Sequence, residues 1–100
     1  MDSNTPTSTV LKPDKYNHLS KVCKALSSPK RLLIIDLICD GPKPVEKIAN
    51  RSGMTIANTS QHLQTLLEAK FVKFEKKGLY SIYRLSNPAV ENILHNIQDL

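Results

Sequence analysis

The stretch Thr55-Ile56-Ala57-Asn58-Thr59-Ser60-Gln61-His62-Leu63-Gln64-Thr65-Leu66-Leu67 decides the fold, because it carries two unlike faces at helical spacing. Thr55 is a good N-cap, and a helix is predicted from it to Lys70. Ile56, Thr59, Leu63, Leu66 and Leu67 share one stripe, expected to pack inward. Asn58, Gln61 and Thr65 point the other way, with Ser60 and His62 flanking them. That outer face is polar yet nearly uncharged over its first three turns. A helix face kept only for solubility more often carries Glu and Lys.

Upstream, Pro44 opens a short helix through Val45, Ile48 and Ala49 that ends near Gly53. Downstream, the period changes from helical to alternating after Lys70. Val72 and Phe74 alternate with Lys73 and Glu75, Lys76-Lys77-Gly78 reads as a turn, and alternation resumes from Leu79 to Leu85. Two short helices joined by a turn and followed by a basic two-stranded hairpin make a helix-turn-helix with a wing.

Three more helices complete the chain. One runs from about Asp14 to Leu26 on the spacing of Tyr16, Leu19, Val22, Cys23 and Leu26. Ser28-Pro29 restarts a second, to Asp40, whose Leu32, Leu33, Ile34, Ile35, Leu37 and Ile38 imply burial on many faces. Asn87-Pro88 caps a last one with Val90, Ile93, Leu94 and Ile97 on its apolar stripe. The fold class expected is mostly α with a two-stranded β-hairpin: a winged helix-turn-helix of about five helices.

One hundred residues with 40% hydrophobic content make one small domain with a real core. The expected division is a flexible arm over 1–13, rich in Ser, Thr and Pro, and a winged helix-turn-helix domain over 14–100. No apolar run reaches the roughly 20 residues of a membrane span, and the N-terminus has no signal-peptide core. A cytoplasmic protein is expected, without a membrane partner. The net charge of +5 favours an anionic partner. From Asn50 to Arg84 the bases are Arg51, Lys70, Lys73, Lys76, Lys77 and Arg84, against Glu68 and Glu75. The positive field therefore sits on the helix-turn-helix and its hairpin.

This order suits double-stranded DNA. The major groove accepts one helix, Asn and Gln pair with adenine, and Ser and Thr bond to bases or phosphates. Lys76 and Lys77 reach the neighbouring backbone as point charges. Each piece also has a plainer reading, as a solvated helix face and an ordinary hairpin turn; it is their agreement that argues for DNA.

The residues also carry a family resemblance. Ala25-Leu26-Ser27-Ser28-Pro29-Lys30-Arg31-Leu32 resembles the second-helix opening of ArsR/SmtB repressors. Thr59-Ser60-Gln61-His62-Leu63-Gln64 with Leu66 resembles that family's recognition helix, and Gly78 with Tyr83-Arg84-Leu85 its wing. The resemblance implies a homodimer built mainly from the first and last helices, reading a two-fold symmetric operator. It further implies repression relieved by a chemical signal. It places DNA contacts at Thr55, Ala57, Asn58, Ser60, Gln61 and His62. Ile56 and Ala57 depart from the polar residues often found there, and His62 also reads as a helix-surface residue packing on a neighbouring turn. Ala57 to Gln64 and Arg84 to Val90 resemble regulators that carry a rhodanese domain after the DNA-binding part. With the sequence ending at Leu100, it reads as either a shorter relative or the DNA-binding portion alone.

Many relatives sense metal through Cys-x-Cys at the start of the third helix, where this chain reads Lys43-Pro44-Val45-Glu46-Lys47. A second candidate is Glu91, His95 and Asp99, at successive i,i+4 positions on the last helix. Cys23 and Cys39 are either small buried hydrophobes or a redox-responsive dithiol of unusual geometry. Thiol or sulfur chemistry is expected ahead of metal, with no cofactor. Catalysis is not expected: Ser60 and His62, two apart on a helix, do not face each other, and no Gly-rich phosphate loop appears. The competing reading is a winged helix used for protein–protein contact.

Overall fold

The computed structural model describes residues 11–100. The expected arm lies outside the described residues over 1–10, and Pro13–Lys15 forms a 3₁₀ turn ahead of the first helix. Five α-helices follow: α1 (Tyr16–Ala25), α2 (Pro29–Cys39), α3 (Val45–Ser52), α4 (Ile56–Glu68) and α5 (Ala89–Ile97). Three strands are interleaved: β1 (Lys43–Pro44), β2 (Val72–Lys77) and β3 (Tyr80–Leu85).

The helix starts are set by the chemistry that the sequence suggests. Ser28 caps α2, its side chain accepting from the Arg31 N–H at 3.2 Å, with Pro29 in the first helical position. Thr55 caps α4 by accepting from the Asn58 N–H at 3.0 Å. Asn87 Oδ1 accepts from the Ala89 N–H at 2.8 Å at the head of α5. Gly53, at φ 73°, closes α3 in the left-handed conformation and turns the chain towards α4.

The core lies where α2 crosses α3 and α4 above the sheet. Ile34 and Ile35 of α2, Ile48 of α3, and Leu63 and Leu66 of α4 are all 0% exposed, with Phe71, Val72 and Val90 closing the sides. Each such aliphatic side chain contributes about 1.5–3 kcal/mol on leaving water. α2 is thus the central helix, as its composition implies, although Leu33 keeps one edge open.

The sheet departs from the expected hairpin in two ways. It has three strands, in the order β1-β3-β2 and antiparallel throughout. The extra strand pairs Lys43 with Tyr83 and Pro44 with Ile82. A two-residue strand ending in proline offers no alternation, and so reads only as the head of α3. Second, the turn is Gly78-Leu79, not Lys76-Lys77-Gly78. Lys76 pairs with Ser81 and Lys77 with Tyr80, so both lysines belong to β2. Gly78 takes φ +63°, the conformation that a two-residue hairpin loop asks of its first residue.

Candidate nucleic-acid interface

α3, the Gly53 turn and α4 form the helix-turn-helix, and β2–β3 the wing beside it. The N-cap fixes the head of α4, and Thr59 Oγ1 donates to the Thr55 carbonyl at 2.8 Å, so one completely buried threonine pins the first turn inward. With Thr59, Leu63 and Leu66 facing the core, Ala57, Asn58, Ser60, Gln61 and Gln64 are exposed on the outer face. Thr55 accepts within the helix, and its hydroxyl hydrogen remains a donor outward. The free N–H groups of the first turn favour an anion at the same end. Thr65, expected outside, is half-buried and bonds back to the Gln61 carbonyl at 3.4 Å.

Ile56 is a correction. Spacing places it on the packed stripe, yet it is 52% exposed. It stands one turn before Thr59, beyond the edge of the core, and among the described residues it stays half open to solvent.

His62 lies half-buried at the flank, not on the open face. Its Nδ1 is 3.3 Å from Nη1 of Arg31. A guanidinium only donates, so Nδ1 accepts and the ring hydrogen is on Nε2. Arg31 is held in turn by the end of α1: Nε donates to the Ala25 carbonyl at 2.6 Å and Nη2 to the Lys24 carbonyl at 3.2 Å. Burial, then the positive charges of Arg31 and Lys30, hold the His62 pKa below its ordinary value. The imidazole is therefore a neutral, oriented donor at neutral pH.

The wing gathers charge more closely than its sequence suggests. Val72, Phe74 and Lys76 share one face with Leu85, Tyr83 and Ser81, and the Phe74 and Tyr83 rings stack at 5.3 Å. The opposite face carries Lys73 directly across from Arg84, and Lys77 across from Tyr80. Two like charges face to face weaken a sheet unless an anion lies against them. Lys73, Lys76, Lys77 and Arg84 are all exposed, and Glu75 pairs with Lys77 at 3.6 Å. Lys73 and Arg84 were legible as charges, but their juxtaposition comes from the register.

The sensing candidates separate. Glu91 Oε2 and His95 Nε2 pair at 3.5 Å, but α5 ends at Ile97 and Asp99 lies past it. The expected shared face for all three is therefore corrected: among the described residues, no three His, Cys, Asp or Glu side chains gather as a metal group. Cys23 is exposed on α1. Cys39 lines an open cavity of about 700 Å³ between α2 and α5, beside Leu32, Asp36, Glu91 and Leu94. Burial, and then the carboxylates of Glu91, Asp36 and Asp40, push its thiol pKa up, which keeps it protonated.

Helix order, wing and polar reading face define a winged helix-turn-helix protein, and comparison with known proteins agrees. Residues 28–73 match the profile of the bacterial regulatory protein, arsR family. The HTH-type transcriptional regulator MJ1325 of Methanocaldococcus jannaschii is 30% identical over 88 residues, covering 87% of this chain and 99% of that protein. The HTH-type transcriptional regulator Rv0324 of Mycobacterium tuberculosis is 32% identical over 82% of this chain, which spans 36% of that protein's length. Among solved structures, the homodimeric winged helix-turn-helix DNA-binding domain of Mb0332 from Mycobacterium bovis (fragment 1–100) superposes with a TM-score of 0.82. It is 28% identical, over 95% of this chain and 88% of that one. The chain belongs to the ArsR family of bacterial regulatory proteins.

Proposed function

We propose that this chain is a sequence-specific DNA-binding regulator acting as a homodimeric repressor in the cytoplasm. The observation that carries the proposal is the exposed, uncharged polar face of α4 set beside a wing on which Lys73 lies opposite Arg84 and Lys76 and Lys77 are exposed. Asn58, Ser60, Gln61 and His62 read base edges in the major groove; Thr55 and the first-turn amides hold phosphate, with Ala57 against the groove wall. Lys76 and Lys77, joined by Lys73 and Arg84, hold the flanking backbone. Residues 14–100 are the DNA-binding and dimerisation unit. Tyr16 on α1 and Ile93 and Ile97 on α5 leave apolar surface open, 46%, 37% and 44% exposed, which a second copy would cover. Two copies related by a two-fold axis demand a two-fold symmetric operator.

Release is assigned to thiol-modifying or sulfur species rather than to metal. The exposed Cys23 is the sulfur available for attack, whereas the protonated Cys39 reacts slowly.

A second reading, a module for protein–protein contact, draws on Leu79, which is 94% exposed at the wing tip. A salt series separates the two. Fluorescence anisotropy on the duplex upstream of the chain's own gene, against a scrambled duplex, should show tight binding to the first alone. The logarithm of the affinity should fall steeply with the logarithm of salt. Weak binding to both duplexes with a flat salt response would favour the protein-contact reading.

A further inference from the structure

We infer that Ile56 is a base-reading residue, recognising thymine methyl groups in the major groove. The inference rests on the DNA-binding reading of α4 and adds to it a base preference that none of the polar side chains supplies.

A branched aliphatic side chain stands 52% exposed at the first residue of α4, on the edge of the exposed face that Ala57, Asn58, Ser60, Gln61 and Gln64 form. Ile56, Ser60 and Gln64 lie at successive i,i+4 positions, and Ala57 and Gln61 form the parallel row. Apolar surface therefore borders, at the head of α4, the face that carries the adenine-pairing amides. Only one groove feature of B-DNA is apolar: the C5-methyl of thymine, which takes contacts from just such side chains. A·T pairs present that methyl beside the adenine edge that Asn and Gln recognise, so the chemistry of Ile56 and Ala57 complements that of Asn58 and Gln61. Ile56 and Gln61, five residues apart, are separated by about 7.5 Å along the helix and address different base pairs. The basic wing supplies the charge complementarity that brings this face to a polyanion. The operator half-site thus contains a thymine read by Ile56, next to adenines read by the amides.

The test uses deoxyuridine, which differs from thymidine only by the missing methyl. The full chain is first used to enrich binders from a pool of random duplexes. One thymidine at a time in the enriched sequence is then replaced by deoxyuridine. We expect one thymidine in each half-site whose replacement weakens binding about fourfold, the effect of leaving one methyl-sized group unburied. Replacing both should weaken it about fifteenfold. In Ile56→Ala the ratio of thymidine to deoxyuridine affinity at that position should fall to about one, and in Ile56→Val it should be partly kept. Thermal melting of each variant checks the fold, which an exposed side chain leaves unchanged. If an enriched sequence emerges but deoxyuridine is tolerated everywhere, or if the discrimination survives in Ile56→Ala, the inference about Ile56 is overturned while the DNA reading stands. If no sequence is enriched at all, both are overturned.

Discussion

Arg31 and His62, far apart in sequence, meet at 3.3 Å between Nη1 and Nδ1, and the same guanidinium holds the Ala25 and Lys24 carbonyls. One side chain thus joins the end of α1 to the flank of α4. It also fixes which ring nitrogen of His62 carries the proton.

Arg31→Ala should lower stability by about 1–3 kcal/mol, since it frees two carbonyls at a helix end and unties His62. Arg31→Lys should recover little of this, because an ammonium cannot span three acceptors set in a fork. Urea unfolding of the three proteins would decide it. Equal midpoints would mean that water replaces the guanidinium without cost.

His62 gives the fold a pH dependence of definite sign. Its folded pKa lies below the unfolded value of about 6.5, so the unfolded chain takes up a proton that the folded ring resists. The contribution is therefore full above about pH 6.5 and is lost as pH falls towards the lowered folded value. Thermal melts at about pH 7.5 and about pH 5.5 should show a loss on acidification that is smaller in His62→Gln. An identical loss in the variant would assign the effect to other groups.

Gln61→Ala should weaken binding to the operator by about 1–3 kcal/mol while leaving binding to random duplex almost unchanged. Anisotropy on both duplexes measures the difference. Uniform weakening would move Gln61 from base reading to phosphate contact.

In the wing, Lys77→Ala should weaken binding on every sequence and make the salt slope shallower by about one unit per lost contact. Lys73→Gln should do the same while stabilising the fold by about 0.2–1 kcal/mol, because it removes the repulsion across from Arg84. A rise in melting temperature together with a fall in affinity is the expected signature. A fall in both would mean that Lys73 is needed for the sheet itself.

Lys70 ends α4 at φ 65°, and the Phe71 N–H bonds to the Leu66 carbonyl at 2.9 Å. This is a left-handed helix stop with a side chain where glycine is favoured. Lys70→Gly should stabilise by about 0.5–1 kcal/mol, read as a shift in denaturant midpoint. No gain would mean that the lysine stem packs well enough to offset the backbone strain.

Much of this was legible in the sequence because it depends on neighbours in the chain. Caps at Ser28, Thr55 and Asn87, the stop at Gly53 and the change of period after Lys70 are local chemistry, and each one stands in the structure. What was not legible depends on partners brought from elsewhere. Ile56 satisfies the periodicity of a buried stripe, but periodicity cannot tell that the core ends one turn short of it. The opposition of Lys73 and Arg84 follows from the register, which shifts once the turn is Gly78-Leu79. Arg31 reads as part of a helix opening, and only the crossing of α2 with α4 gives it His62. β1 is invisible because two residues have no pattern.

That short strand has a mechanical consequence. β3 is the middle strand, tied on one side to β2 and on the other to Lys43 and Pro44, and Val45 begins α3 at the very next residue. The wing is therefore splinted to the root of the helix-turn-helix, like a lever clamped at its fulcrum. It cannot swing alone without breaking that pairing, so the wing and the helix-turn-helix move as one stiff jaw. If two copies pair as proposed, letting go is a change in the distance and angle between two jaws, set at the helices that join them, while the teeth keep their shape.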